Sequence, residues 1–349
     1  MDDLQLILSK TPANVWPVLQ GQHIFITGGT GFIGCWLLEA FIWANQQLGL
    51  ALRLSVLTRR PEAFRAKAPH LAGHPIVNLV AGNVNDLSGI SQPYGIIIHA
   101  ATDVAKPGAN ARAVFDDIVN GTTQTLALAT RSKASRYLLT SSGAVYGRQP
   151  AAIEHIREDY PGAPDTLDSG SAYAQGKRVS EWLVQCHADQ HGLETRIARC
   201  FALLGPYLPL NAHFAAGNFI RDGLNGQAIK VSGDGTACRS YLYAADMTIW
   251  LLTILANGRT GQSYNLGSDT GITINELAGK VSDMVFGENK VELGARPIPD
   301  AAPHRYVPNN DKAKNELDLL EYTDLQSALR KTIDWVIQNR EAPDHNLAG

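Results

Sequence analysis

The feature that most constrains the fold is the segment FITGGTGFIG, residues 25–34, which places glycines at positions 28, 31 and 34. The apolar run HIFIT leads into this segment, and the amphipathic run CWLLEAFIWANQQL continues from it, as expected for a strand followed by a helix. Glycine permits a tight turn there and lets backbone amides approach an anion at the helix N-terminus. The segment therefore predicts a βα unit that binds a diphosphate; the alternative is a tight turn that binds nothing.

The alternation of short β-branched runs with longer amphipathic runs continues through LRLSVLT, PIVNLV, GIIIHA, RYLLT and ETRIARCF. Such alternation is typical of βαβ units, so we predict an α/β fold with a Rossmann-type doubly wound parallel sheet of about six strands. Beyond Gly205-Pro206 the elements become shorter and mixed. We predict an N-terminal extension (1–20), a dinucleotide-binding domain (21–206) and a smaller mixed α/β substrate lobe (207–349), with part of 236–270 returning to the first domain. In the lobe, Thr273 and Glu276 have the spacing of a helix capping box.

Charge and composition narrow the range of partners. The chain has 349 residues and a formal net charge of -3, which creates no field that would gather nucleic acid or an acidic membrane. The acidic start MDDLQLILSK and the absence of a long uncharged apolar run argue against a secretory signal or a membrane span. We therefore expect a cytoplasmic protein without nucleic-acid or membrane partners. The four cysteines are widely spaced, which predicts reduced thiols and no metal site.

The end of the second predicted strand indicates which dinucleotide is bound. NAD-binding units usually place an acidic residue there against the ribose hydroxyls, whereas this chain has Thr58, Arg59 and Arg60. Guanidinium groups suit a 2′-phosphate, so NADP(H) is favoured and NAD(H) remains an alternative. The arginines are also compatible with a solvated loop that contacts no ligand.

A second motif, YAQGK (residues 173–177), places Tyr173 and Lys177 four residues apart on one face of a predicted helix. A phenol with its ordinary pKa of about 10 exchanges protons poorly at neutral pH. We expect a neighbouring ammonium and a positive nicotinamide ring to lower that pKa. Ser142 lies upstream at the end of a predicted sheet strand. Its hydroxyl would there hold the same substrate oxygen with which Tyr173 exchanges a proton. These three side chains are the predicted catalytic residues.

Taken together, these motifs resemble the extended short-chain dehydrogenase/reductase family of NAD(P)-dependent nucleotide-sugar epimerases and dehydratases, over about residues 22–335. HAAT (99–102), VNGT (119–122) and GDGTACRSYLYAAD (233–246) also resemble family segments. The resemblance implies a nucleoside-diphosphate sugar as substrate and a homodimer built from the YxxxK helix and the long helix before the serine strand. Trp182, Leu183, Phe115 and Ile118 would supply its apolar contacts, although core packing explains them equally well.

The resemblance also assigns roles to individual positions. Its implied cofactor-binding residues are Gly28, Thr30, Gly31, Phe32, Ile33, Gly34, Arg59, Arg60, Asn83, Val84, Ala100, Ala101, Thr102, Tyr173 and Lys177. Its implied substrate-binding residues are Ser142, Gly143, Asn218, Arg239 and Arg305, and Asn120 is the implied structural asparagine. For Arg239 and Arg305 a surface ion pair is the alternative, and for Asn218 and Phe219 it is a helix packed on the sheet edge.

The two residues after Ser142 narrow the reaction. Hexose 4,6-dehydratases resemble one another in an Asp-Glu pair at these positions, and nucleotide-sugar decarboxylases commonly keep a Glu. This chain has Gly143 and Ala144, neither of which can carry a proton. We therefore predict redox chemistry at a carbinol or keto carbon, expected to be C4, with a 4-keto sugar reductase favoured because of Arg59 and Arg60. An NAD-retaining 4-epimerase is the main alternative, ahead of a 4,6-dehydratase or a non-catalytic dinucleotide-binding regulator.

Overall fold

The computed structural model describes residues 2–102, 110–212, 214–298 and 302–340. The last part of the predicted substrate lobe, 341–349, lies outside the described residues.

The strands, in chain order, are β1 His23–Thr27, β2 Arg53–Thr58, β3 Val77–Ala81, β4 Ile96–His99, β5 Arg136–Ser142, β6 Glu194–Cys200, β7 Ala202–Leu204, β8 Ile229–Val231, β9 Cys238–Tyr243, β10 Gln262–Leu266, β11 Gly271–Thr273, β12 Val291–Leu293 and β13 Arg305–Tyr306. The helices are α1 Asp2–Lys10, α2 Val15–Leu19, α3 Phe32–Leu48, α4 Pro61–Lys67, α5 Pro69–Ala72, α6 Ala111–Ser132, α7 Ala172–His191, α8 Ala215–Leu224, α9 Ala244–Asn257, α10 Ile274–Phe286, α11 Asp311–Leu317 and α12 Leu325–Arg340.

Seven parallel strands form the main sheet, in the order β10-β6-β5-β4-β1-β2-β3. The central strands are continuous apolar runs, and Ile24, Phe25 and Ile26 of β1 are fully buried because helices cover both faces of the sheet. The chain moves outward in one direction from β1 to β3 and in the other from β4 to β10. The predicted Rossmann-type doubly wound sheet is confirmed, and its switch point lies between β1 and β4, where such folds hold their ligands.

The second half of the chain contributes to more than one sheet. Its strand β10 pairs with β6 at the edge of the main sheet, whereas β9 pairs with β7, β11 and β13 in a separate sheet and β8 pairs with β12. The predicted capping box is present at the start of α10. Thr273 Oγ1 accepts a hydrogen bond from Glu276 N at 3.1 Å, and Glu276 Oε2 accepts one from Thr273 N at 2.9 Å. The predicted division into domains remains a prediction.

Residues 2–19 contain two helices, α1 and α2, that pack on the rest of the chain. Ile7, Val15 and Leu19 are buried in the main core, and α1 packs against α3 and α9. Asp3 pairs with Lys331 of α12, and Tyr243 Oη donates to Asp3 Oδ2 at 2.8 Å. Within the described residues, none of the helices combines the length and the apolar composition that a membrane span requires.

Candidate active site

A cavity of about 490 Å³ opens where β1, β2 and β4 end, at the switch point of the sheet. Most of the predicted cofactor residues line it: Gly28, Thr30, Gly31, Arg59, Arg60, Asn83, Val84, Ala100, Ala101 and Thr102. The remaining residues that line the cavity were not predicted to do so from the sequence: Leu57, Thr58, Ala63, Phe64, Lys67, Gly82, Asn85, Val114, Asp117 and Ile118. The cavity therefore collects loops from four strands and one face of α6.

The three glycines of the first turn serve two purposes. Gly28 has φ +70°, and a Cβ there would lie 2.4 Å from the carbonyl oxygen of Ala100. A Cβ at Gly34 would lie 2.3 Å from the carbonyl oxygen of Gly28, so α3 can start this close to β1 only without a side chain. At Gly31 the nearest atom to a Cβ is 3.3 Å away, and this residue lines the cavity. The turn thus presents a bare backbone and the N-terminus of α3 to the cavity, which fits a dinucleotide diphosphate.

Positive side chains surround the cavity where β2 ends. Arg59 and Arg60 are exposed lining residues, and Lys67 at the end of α4 also lines the cavity. Lys67 Nζ donates a hydrogen bond to the carbonyl oxygen of Thr30 at 2.9 Å, which fixes an ammonium beside the glycine turn. This arrangement places three cationic side chains at the cavity, and such side chains suit phosphate groups.

Three predicted cofactor positions, and the predicted structural asparagine, do not line the cavity. Phe32 and Ile33 begin α3 with their side chains packed against the main core, and Gly34 is buried behind them. Asn120 is exposed on α6, whereas Ile118, two residues earlier, is buried and lines the cavity. Residues two positions apart on a helix point in roughly opposite directions, so Asn120 faces away from the cavity, and its predicted structural role remains a prediction.

Ser142, Tyr173 and Lys177 come together beside the cavity. Lys177 is only 3% exposed, and its Nζ donates to Thr102 Oγ1 at 2.7 Å and to the carbonyl oxygen of Thr140 at 2.8 Å. The same Nζ lies 6.0 Å from the centre of the Tyr173 ring. Because Thr102 lines the cavity, Lys177 connects this cavity to the predicted catalytic phenol.

Burial controls the protonation of these groups. It raises the pKa of Tyr173 to about 12, against the opposing effect of a hydrogen bond with Ser142, so the lowered pKa expected from the sequence is not found in this structure. Burial also lowers the pKa of Lys177 to about 8, although Cys200 and Glu181 act in the opposite direction. At neutral pH, Tyr173 therefore retains its proton and Lys177 is a cation.

Gly143 lies beneath an aromatic ring that the sequence did not point to. A Cβ at position 143 would lie 2.6 Å from Cζ of Phe201 and 2.8 Å from both Cε atoms. Phe201 is buried and packs against Tyr306, with 4.5 Å between ring centres, and against Tyr146 at 6.4 Å. The ring occupies the volume that any side chain at position 143 would need, so this position cannot present an acid or base without rearrangement.

Of the two predicted substrate-binding arginines, Arg239 lies beside the Tyr306 ring of this cluster. Its guanidinium carbon is 5.7 Å from the centre of the Tyr306 ring, and its Nη1 donates to the carbonyl oxygens of Cys238 and His304. Arg305 points toward Cys238, with Nη1 at 3.9 Å from the thiol sulfur. The structure thus brings Arg239, but not the side chain of Arg305, toward the catalytic residues.

Asn218 lies on α8, where its Oδ1 accepts a hydrogen bond from Arg221 Nη1 at 3.1 Å. The neighbouring Phe219 is buried in the main core. These contacts match the packed-helix alternative for this segment, and the predicted substrate role of Asn218 remains a prediction.

The sequence and the fold of this chain both resemble those of known proteins. The model of the NAD dependent epimerase/dehydratase family matches residues 24–267. UDP-glucuronic acid decarboxylase 6 of Arabidopsis thaliana is 31% identical over 298 residues, which cover 85% of this chain and 83% of that protein. A dTDP-glucose 4,6-dehydratase from Streptomyces venezuelae, solved with NAD, has a TM-score of 0.78 and 25% identity, covering 91% of this chain and 98% of that one. UDP-glucose 4-epimerase from Thermotoga maritima has a TM-score of 0.77 and 18% identity, covering 91% and 100%, and shows the same fold.

Proposed function

We propose, from the premise that this chain belongs to the NAD dependent epimerase/dehydratase family of extended short-chain dehydrogenases/reductases, that it reduces a 4-keto nucleoside-diphosphate sugar with NADPH. Family membership makes the chain an enzyme of nucleotide-sugar chemistry. The observation that carries the finer proposal is the pairing of Ser142, Tyr173 and Lys177 with a position 143 that is closed by Phe201.

Each of the three side chains has a role in such a reduction. A reduced dinucleotide held in the cavity would supply the hydride. Tyr173 is a protonated phenol at neutral pH and gives its proton to the carbonyl oxygen as that oxygen gains negative charge. Ser142 donates a hydrogen bond to the same oxygen, because its Oγ already accepts one from Ala144 N at 3.1 Å and so directs its own proton elsewhere. Lys177 donates hydrogen bonds to Thr102 and to the carbonyl oxygen of Thr140, and it places a positive charge beside the phenol of Tyr173.

The names of the relatives suggest decarboxylation or dehydration. Neither Gly143 nor Ala144 provides the Glu that decarboxylases commonly keep after the serine, and the site argues further against dehydration. Removing water from two carbons of a sugar needs an acid and a base in addition to the catalytic tyrosine. Gly143 and Ala144 carry neither, and a longer side chain at position 143 would collide with Phe201. Reduction needs one hydride, which NADPH would supply, and one proton, which Tyr173 carries.

The choice of NADPH depends on the end of β2. Arg59, Arg60 and Lys67 line the cavity there, where a carboxylate would repel a 2′-phosphate. Guanidinium groups bind phosphate through several parallel hydrogen bonds, so they favour the phosphorylated cofactor. NAD(H) remains the alternative, because the Streptomyces venezuelae relative was solved with NAD.

An NAD-retaining 4-epimerase is the second candidate, since it uses the same three side chains. It would take hydride from a 4-hydroxy sugar and return it to the other face of the ring. Incubating the purified protein with NADPH and a panel of 4-keto nucleotide sugars, and separately with 4-hydroxy nucleotide sugars, distinguishes the two. Reduction predicts net NADPH oxidation with a 4-keto sugar, whereas epimerisation predicts a changed 4-hydroxy sugar without net cofactor oxidation.

We also propose a homodimer formed through α6 and α7. Trp182 on α7 is 64% exposed, which is unusual for a large aromatic side chain, whereas Ile118 is buried between these helices against Gly176. Trp182→Ala should shift the protein from dimer to monomer in analytical ultracentrifugation. An unchanged sedimentation coefficient would place the dimer contact elsewhere or exclude it.

A further inference from the structure

Tyr306 brings a second phenol to the catalytic serine. In β13, successive side chains point to opposite sides, so Arg305 faces Cys238 while Tyr306 faces the active site. Its Oη lies 3.4 Å from Ser142 Oγ and donates to the carbonyl oxygen of Cys200 at 3.4 Å. The phenols of Tyr173 and Tyr306 therefore both neighbour Ser142.

The backbone around Tyr306 is firmly held. Cys238 N donates to the carbonyl of His304 at 2.9 Å, and Val307 N donates to Oε1 of the buried Gln149 at 3.0 Å. Ile156 N donates to the carbonyl of Val307 at 3.0 Å. The backbone is thus fixed on both sides of Tyr306.

The ring of Tyr306 is held as well. The ring packs on Phe201, and the guanidinium carbon of Arg239 lies 5.7 Å from the centre of the Tyr306 ring. Burial keeps the pKa of the phenol well above its usual range, although the hydrogen bond with Ser142 opposes this effect. Tyr306 is therefore a neutral hydrogen-bond donor at physiological pH, with its hydroxyl attached loosely enough to change partner.

We propose that Tyr306 is a third hydroxyl of the catalytic pocket, and that it donates a hydrogen bond to the same substrate oxygen as Ser142. This inference rests on the proposed reduction of a keto sugar. When hydride from the reduced cofactor bonds to the carbonyl carbon, the π electron pair moves to the oxygen, and Tyr173 gives that oxygen its proton. Tyr306 keeps its own proton and stabilises the charge while it develops, as donors in an oxyanion hole do.

The test is Tyr306→Phe, which removes the hydroxyl and retains the ring that packs on Phe201. We expect kcat with a 4-keto nucleotide sugar to fall by about tenfold to a hundredfold, while KM changes by less than about threefold. NADPH affinity and the denaturant midpoint should remain at wild-type values. The position of the pH profile should not move, because Tyr306 exchanges no proton. Tyr160→Phe is the matched control, since Tyr160 packs in the same aromatic cluster, and it should retain wild-type kcat.

Two results would overturn the proposal. One is a Tyr306→Phe enzyme with kcat within about twofold of wild type. The other is a loss of kcat accompanied by weaker NADPH binding or a lower denaturant midpoint, which would assign Tyr306 a structural role. Tyr306→Leu removes both the ring and the hydroxyl, whereas Tyr306→Phe removes only the hydroxyl. Because the proposal assigns the effect to the hydroxyl, the Phe variant should already show most of the loss in kcat that the Leu variant shows. A wild-type enzyme that binds NADPH but reduces no 4-keto sugar would instead contradict the proposed function, and the assignment of Tyr306 would fail with it.

Discussion

The ring of Phe201 lies directly over Gly143, so that a Cβ at position 143 would lie 2.6 Å from its nearest ring carbon. Gly143→Ala should therefore lower the free energy of unfolding by about 1 to 3 kcal/mol, because the buried ring must move to admit the methyl group. Urea denaturation monitored by circular dichroism measures this change.

Gly279→Ala is the matched control for that substitution. Gly279 lies within α10, and a Cβ there would meet nothing within 4 Å, so alanine should stabilise the helix by up to about 1 kcal/mol. In the double variant Gly143→Ala/Phe201→Leu, the smaller side chain should reduce the cost of the alanine, giving a favourable coupling energy. A wild-type midpoint for Gly143→Ala would show that position 143 is open to side chains.

Tyr173→Phe should lower kcat by at least about a hundredfold, because the variant loses the proton that the reaction transfers. The ring is retained, so NADPH binding measured by fluorescence titration should stay at the wild-type value. Tyr322→Phe, at a partly exposed tyrosine outside the site, should leave both quantities unchanged. Substantial residual turnover in Tyr173→Phe would remove this phenol from the acid role.

The pH dependence of kcat should report on Lys177. Its pKa is lowered to about 8, chiefly by burial, so the side chain is a cation below that pH and loses its charge as the pH rises through it. The neutral amine places no positive charge beside Tyr173, so we expect kcat to decline on the alkaline side with a midpoint near pH 8. Lys177→Met should have low activity without this decline. A wild-type profile that stays flat well above pH 9, more than about one unit beyond the midpoint, would show that the ammonium is not needed.

Arg59→Ala should weaken NADPH binding by roughly tenfold or more and NADH binding far less, because only NADPH carries the 2′-phosphate that a guanidinium would bind. Isothermal titration calorimetry with both dinucleotides measures the two dissociation constants. Arg65→Ala is the matched control, since Arg65 on α4 is exposed and pairs with Glu62. Equal losses for both dinucleotides would refute the 2′-phosphate assignment.

Local patterns predicted much of this structure. The glycine turn at 28–34, the capping box of Thr273 and Glu276, and the four-residue spacing of Tyr173 and Lys177 all involve neighbours in the chain. Their geometry follows from strand and helix periods, which the sequence displays directly. Cavity-lining residues such as Asn83 and Thr102 could be expected because each follows a parallel strand.

Contacts between distant parts of the chain were not predictable in this way. Tyr306 meets Ser142 across 164 residues, and Phe201 reaches Gly143 from the next strand of the sheet. Lys67 reaches the cavity because α4, which begins directly after Arg60, ends near the glycine turn. Each of these contacts depends on tertiary packing, for which a single sequence has no periodic signal.

Asn120 and Ile118 show what a motif leaves open. The sequence context predicts a structural role for Asn120, which remains a prediction, whereas Ile118 lines the cavity without any signal in the motif. A shift of two positions on a helix moves a side chain to roughly the opposite face, which a motif alone does not detect.

The central claim is tested most directly by following the hydride. The protein should be incubated with a 4-keto nucleoside-diphosphate sugar and NADPH that carries deuterium at C4 of the nicotinamide, and the sugar should be analysed by mass spectrometry and NMR. We predict deuterium at C4 of a 4-hydroxy product, with one NADP formed for each sugar reduced. A 4-keto sugar that is recovered unlabelled with no NADPH oxidised, while 4-hydroxy sugars are epimerised without net cofactor change, would contradict the account.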